Sequence, residues 1–581
     1  MIKMKQLAFL STLLPLLAIG QTYIANVSVG DVENKKILGN QTVVIKGDVI
    51  ADIKPSGKIR IPAGATVIDG TGKFLFPGLV DAHVHFFQSG GLYTRPDAID
   101  LRQVRPYASE IQSTLARVEN VSRRYLKNGI TTAIDPGSTY NMLKVRDGLQ
   151  GQKGVAQIYM SGPLLTTYEP KVYAGLRDDS PFHLILSPEA ARKAVQEQAR
   201  HRPDFIKIWY IADVEGLSAE EGARKYLPVI QAAIDQAHEL KFKVAVHAME
   251  RLTAELSVKA GCDYLVHSIE DEVIPDDLVR LIKQKNVIVC PTLTVHAGYV
   301  DTFAQRLDIS AHEIAQADPF ELGSLTDLKH LKLSDTALIG DYKRGAGSEK
   351  QQQKMIAEAH ICNTNLKKLS DAGVTIATGT DAGNIGTLHA CSYLDELLAM
   401  RKAGLSNWKI LEASTINGAK VLGKQRESGS IAKGKKADLI LLDANPADAI
   451  ENVARMDRVI RHGAVFKPSD ILVETPEELV QRQLNAYNFR NLEAFLDTYA
   501  DDVEVYTFPD KLDYKGKETM RKIYGKMFGQ TKDLHCRIVS RIVEGNIVID
   551  KEDVRADAEK FGGTAIYVVE NQKIKKVYFT Q

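Results

Sequence analysis

Between Tyr23 and Phe76, apolar and polar positions alternate in short runs broken by Gly, Asn and Asp (TYIANVSVGD, QTVVIKGDVIADI, ATVIDGTGKFLFPG). A period of two with turn residues between the runs predicts β-strands joined by hairpins. After Pro77 the rhythm changes. Short apolar runs (GLVDAHVH, ITTAID, VAQIYMSG, FIKIW, KVAVHA, CDYLVHS, VIVCPTL, VTIATGTD) alternate with stretches of helical periodicity such as Ser187 to His201 and Glu220 to Leu240. Eight strands with helices between them predict an α/β fold, a parallel (β/α)8 barrel of the TIM type. Strand text returns from Ser430 to Phe466 in the style of the N-terminal segment, so both ends are expected to build one β-sandwich beside the barrel. From Thr475 a helix pair leads into strands, which predicts a separate α+β domain. The expected partition is 1–20 as a leader, 21–76 with 417–472 as the sandwich, 77–416 as the barrel and 475–581 as the C-terminal domain.

The leader MIKMKQLAFLSTLLPLLAIGQ has Lys3 and Lys5, an apolar run from Leu7 to Ile19 and the small residues Ala18 and Gly20, the pattern of a secretory signal peptide. The run is shorter than the roughly 20 residues that span a bilayer and contains Pro15, so cleavage after Gly20 and an exported, periplasmic or secreted product are expected, without stable membrane insertion. The 581 residues are 44% hydrophobic and 25% charged, enough for several domains and incompatible with a disordered chain. With 74 Lys and Arg against 73 Asp and Glu there is no net field to hold nucleic acid. Cys262, Cys290, Cys362, Cys391 and Cys536 lack any paired spacing and read as small buried hydrophobes. A polar insertion from Thr294 to Gln353 is expected to lie over the barrel mouth as a lid.

The candidate chemistry sits at strand ends. His83 and His85 in VDAHVHF are two residues apart and so point to one side of a strand. His247, His267 and Asp381 close three later strands, and strand C-termini are where a barrel places its catalytic groups. A lone histidine is seldom a ligand, but four with an aspartate in equivalent positions suit zinc, manganese, iron or cobalt.

In combination, FLFPGLVDAHVHF, GTDAG, GTLHACSYLDELLAMRKAGLSNWKILEASTINGAKVLG and GSIAKGKKADLILLDANP resemble the amidohydrolase superfamily, over about Tyr23 to Pro468. The resemblance is to the group related to imidazolonepropionase and Xaa-Pro dipeptidases. It implies that His83, His85 and Asp381 bind one metal and His247 and His267 a second. Lys207 then bridges both as a carbamate, since a protonated lysine cannot ligate. Two zinc ions are implied, with manganese, iron or cobalt as alternatives. The implied reaction is cleavage of an amide C–N bond in a small peptide-like or cyclic amide by a metal-bridged hydroxide, with Asp381 as general base. Tyr210 is a candidate oxyanion donor, and His296 and His389 are candidate substrate contacts. The segment His247-Ala-Met-Glu250 departs from the commoner pattern. A mononuclear deaminase with Glu250 as proton shuttle therefore stays open, as does a catalytically silent binding module. Residues 475 to 581 resemble the SnoaL-like cone fold, which implies an accessory role or homo-oligomerisation, with His535 and Asp513 as candidate pocket residues.

Overall fold

The computed structural model describes residues 20–214, 216–332 and 337–580, so the leader, Gly20 excepted, lies outside the described residues. Strands Gln21–Asp31, Lys36–Lys46 and Val49–Pro55 form a meander whose inner face carries Ile24, Val27, Val43 and Ile45. Phe74–Pro77 pairs with the first of these and, antiparallel, with Leu439–Leu442; Met456–Arg461 and Ala464–Phe466 follow. Both ends of the chain therefore share one sheet. Its eight strands run in one continuous hydrogen-bonded order, consistent in part with the β-sandwich the sequence predicts.

The middle of the chain is a mixed α/β fold. Parallel strands fall into a three-stranded sheet (Leu79–Asp81, Ile130–Asp135, Gln157–Met160) and a six-stranded one that includes Ile206–Trp209, Val244–His247, Tyr264–Val266 and Ile288–Cys290. Single bridges, Ser161 to Phe205 and Val289 to Ile376, and a hydrogen bond from Ala82 N to Thr378 O link the pieces. The predicted helices are present as Pro188–Arg200 and Ala219–Glu239, each started by a serine whose hydroxyl accepts from a backbone N–H. Among the described residues no helix is long and apolar enough to cross a membrane. Four cysteines are buried and Cys362 is half-buried, all free.

The insertion is largely helical, with Val295–Ala304, Ala311–Gln316 and Pro319–Ser324 among its helices. The C-terminal unit has its own six-stranded sheet, yet it does not stand apart. Phe303, Ile314, Leu322 and Leu328 of the insertion share one apolar core with Leu479, Val480, Leu484 and Phe495 of the C-terminal helices. Each face alone would be exposed to water, so the two stabilise each other. Arg124 on helix Tyr107–Lys127 ties the three parts together, donating to Ala317 O at 2.9 Å and to Glu478 Oε1 at 3.0 Å. Both side chains are buried. Arg124→Ala leaves Glu478 a buried, unpaired carboxylate and is expected to cost about 3–5 kcal/mol, read from the urea midpoint of the full chain.

Candidate metal centre

The candidate ligands converge because their strand ends touch. Asp381 N donates to His83 O at 2.7 Å, and His267 N donates to Cys290 O at 2.9 Å. Gly379 permits the first contact: a Cβ there would lie 2.5 Å from Cys290 Sγ and 2.7 Å from His83 N. Asp381 and His267 both adopt left-handed backbone, with φ of 58° and 79°. Such conformations in residues other than glycine persist where surrounding structure holds them and gather at functional sites.

His83 Nε2 and His85 Nε2 are 3.2 Å apart, and Asp381 Oδ1 lies 3.3 Å from the first and 3.1 Å from the second. The imidazoles continue as a row: the His83 and His267 ring centroids are 4.9 Å apart, and those of His267 and His247 4.3 Å. Lys207, fully buried, is close enough that its charge opposes protonation of His83 and His247. Burial first, then neighbouring positive charge, holds His83, His247 and His267 well below the ordinary imidazole range, so all three present neutral nitrogen. His85 is the exception. Burial works against its charge, but Asp135 and Asp381 beside it raise it to about 9. Burial likewise opposes ionisation of Asp381, and pairing with His85 outweighs it, keeping the carboxyl below its usual value. Burial pushes Lys207 down to about 7.

The structure separates the remaining candidates. Tyr210 donates its hydroxyl to Ala223 O on the outer helix, so its one proton is committed away from the site and the oxyanion role is withdrawn. His389 is also withdrawn as a substrate contact: one ring nitrogen meets Tyr125 Oη at 2.9 Å and the other Gln88 O at 2.8 Å. His296 is exposed on the first turn of Val295–Ala304. Glu250 starts helix Arg251–Ala260 and accepts from the Thr253 hydroxyl at 2.7 Å, which fits a helix-capping charge. His535 meets His330 of the insertion at 3.2 Å, and Asp513 is exposed beside Thr507, so neither lines a domain interior.

Several residues escape the sequence reading. Asp81 accepts from Thr380 N and Oγ1 at 3.0 and 2.8 Å, and burial raises it to about 8. His85 Nδ1 meets Gly137 O at 3.0 Å, with Asp135 3.5 Å away, and His267 Nδ1 meets Thr292 Oγ1 at 2.8 Å, outer partners that orient the imidazoles. Trp209 occupies the place considered for Tyr210. Strand parity carries that signal: Lys207 and Trp209 share a side, and Tyr210 faces the other way. Asn384 donates to Asp381 O at 3.0 Å, while its Oδ1 accepts from Arg95 Nη1 at 2.6 Å and from Tyr299 Oη at 2.7 Å. The insertion thus reaches the site through Tyr299. Asn384→Ala releases the left-handed Asp381, so kcat is expected to fall about 10- to 100-fold with little change in KM, checked by steady-state kinetics.

His83, His85 and Asp381 form a group of donors that could hold a metal ion. The amidohydrolase family matches residues 74–465, and the chain belongs to that family; a SnoaL-like domain matches residues 480–577. The chain is similar to imidazolonepropionase of Shouchella clausii, 23% identical over 479 residues, covering 76% of this chain and 89% of that protein. Among solved structures it is similar to a Xaa-Pro dipeptidase with bound methionine (TM-score 0.57, 21% identity, 77% of this chain and 100% of that one). Molinate hydrolase is another (TM-score 0.59, 17% identity, 79% and 97%).

Proposed function

We propose that this protein is an exported, metal-dependent hydrolase that opens the C–N bond of a small peptide-like or cyclic amide, in a site where the parallel strands close as one (β/α)8 barrel. The observation that carries the metal is the spacing of three donors. Nε2 of His83, Nε2 of His85 and Oδ1 of Asp381 lie 3.1–3.3 Å apart, and the buried Oδ1 makes no hydrogen bond among the described residues. Tetrahedral ligands about 2.0–2.1 Å from one zinc ion stand about 3.3 Å apart, so the donor set fits a first-row divalent ion. His247 and His267 offer neutral nitrogens for a second ion, and Lys207, whose charge acts on His83, His247 and His267, is the bridging candidate.

Divalent ions bound there supply Lewis acidity, making a water acidic near neutrality and polarising the substrate carbonyl. Lys207, held at about 7, has its neutral amine available at physiological pH. That amine adds to the carbon of carbon dioxide and loses a proton to water, which leaves an anionic carbamate able to bridge. Asp381, ionised and held beside His85, takes a proton from the attacking water and returns it to the leaving nitrogen. Gly137 O and Thr292 Oγ1, each against an Nδ1, keep His85 and His267 from turning.

The test is metal per chain by elemental mass spectrometry on protein purified without chelator, with a screen of dipeptides, N-acyl amino acids and lactams. About two ions and release of an amine from one of these classes are expected. About one ion with release of ammonia from an amino-heterocycle would replace this reading by deamination through Glu250, and metal-loaded but inert protein by a binding module. For export, N-terminal sequencing of the secreted product should begin at Gln21.

A further inference from the structure

Trp209 closes the strand Ile206–Trp209 on the same side as Lys207, one layer nearer the mouth, with its backbone between Thr166 and His247. Its ring meets His247 edge to face at 6.1 Å, Phe182 at 5.1 Å and Tyr168 at 6.5 Å. Phe182 leans on Tyr173 at 5.2 Å, whose hydroxyl donates to Asp97, and Asp97 is bound through both oxygens by Arg95. The wall that starts at His247 is therefore aromatic, and the nearest ion pair along it is internally neutralised. Packing covers it only in part: Trp209 and Phe182 are half-buried, Tyr168 is 42% exposed, and Leu184, in register with Thr166, is 41% exposed. Contiguous apolar surface left open at the mouth of a site marks the place of an apolar ligand group.

We propose that the substrate carries an aromatic or bulky apolar acyl group that packs on Trp209, Phe182 and Tyr168. The assignment to the acyl side rests on the proposed role of Asp381. That residue returns the proton to the leaving nitrogen, and the row of imidazoles separates it from Trp209. The amine half of the amide therefore lies toward Asp381 and the acyl half toward the aromatic wall. Small acyl groups leave the wall wet and gain nothing from it, whereas an aromatic ring finds edge and face partners at the spacing aromatic pairs favour.

The chain has two tryptophans, and the other, Trp408, packs on Phe76. Trp408→Phe in the full chain leaves Trp209 as the only indole emitter. Titration of that variant with phenylacetate, which has no C–N bond to cleave, should change Trp209 emission saturably, and acetate should not. Trp209→Ala in the wild-type background should lower kcat/KM for phenylacetylglycine by about tenfold or more, and for acetylglycine by less than about threefold. A flat phenylacetate titration, or equal losses on the two amides, overturns the proposal. A saturable response with neither amide cleaved would instead remove the hydrolase reading and leave the aromatic site standing.

Discussion

Lys207→Met is expected to lower bound metal from about two ions per chain to one or fewer and to cut turnover at least about 100-fold, because in the proposed centre the Lys207 carbamate would hold the second ion beside His247 and His267. Methionine keeps the length and apolar stem of lysine, so the strand should still pack. The variant removes the amine on which the proposed carbamate would form. Elemental analysis and turnover are measured together on protein from cultures supplied with bicarbonate. Unchanged metal content with unchanged turnover would leave Lys207 as a buried structural lysine.

Asp381→Asn is expected to lower kcat about 10²- to 10⁴-fold, the range a positioned general base contributes. The amide is nearly the same size, so the contacts of Asn384 and the left-handed backbone can persist while the exchangeable charge is lost. The carboxylate stays ionised through the neutral range in the wild type, since pairing with His85 holds it below its ordinary value. Activity limited by this base should therefore persist as pH falls from 7 toward 5. The check is kcat and metal content side by side; a turnover within a few-fold of wild type would assign the base elsewhere.

Much of the site is readable in the chain because its geometry is local. Two histidines two residues apart share a face of a strand, and a histidine or aspartate at the end of an apolar run sits at a strand terminus. Parity alone also separates Trp209 from Tyr210, although the sequence reading chose the tyrosine for its hydroxyl. The shared sheet at both chain ends follows from matching strand style, and the helix starts at Ser187 and Ser218 from capping chemistry.

Other features have no local signature. Arg95, Tyr299 and Asn384 come from three distant segments and meet only in the folded chain. Tyr125 and Gln88 take both nitrogens of His389, and no spacing in the chain announces either contact. The sequence marks the insertion as polar, but the apolar residues spaced through it are buried against the helices of the C-terminal unit and against Leu92, Ile385 and Leu388. What the sequence by itself determined is which residues end strands, cap helices and point to a common side, since these follow from backbone periodicity. Only the tertiary structure decided which distant side chains meet, because that depends on how whole surfaces exclude water together.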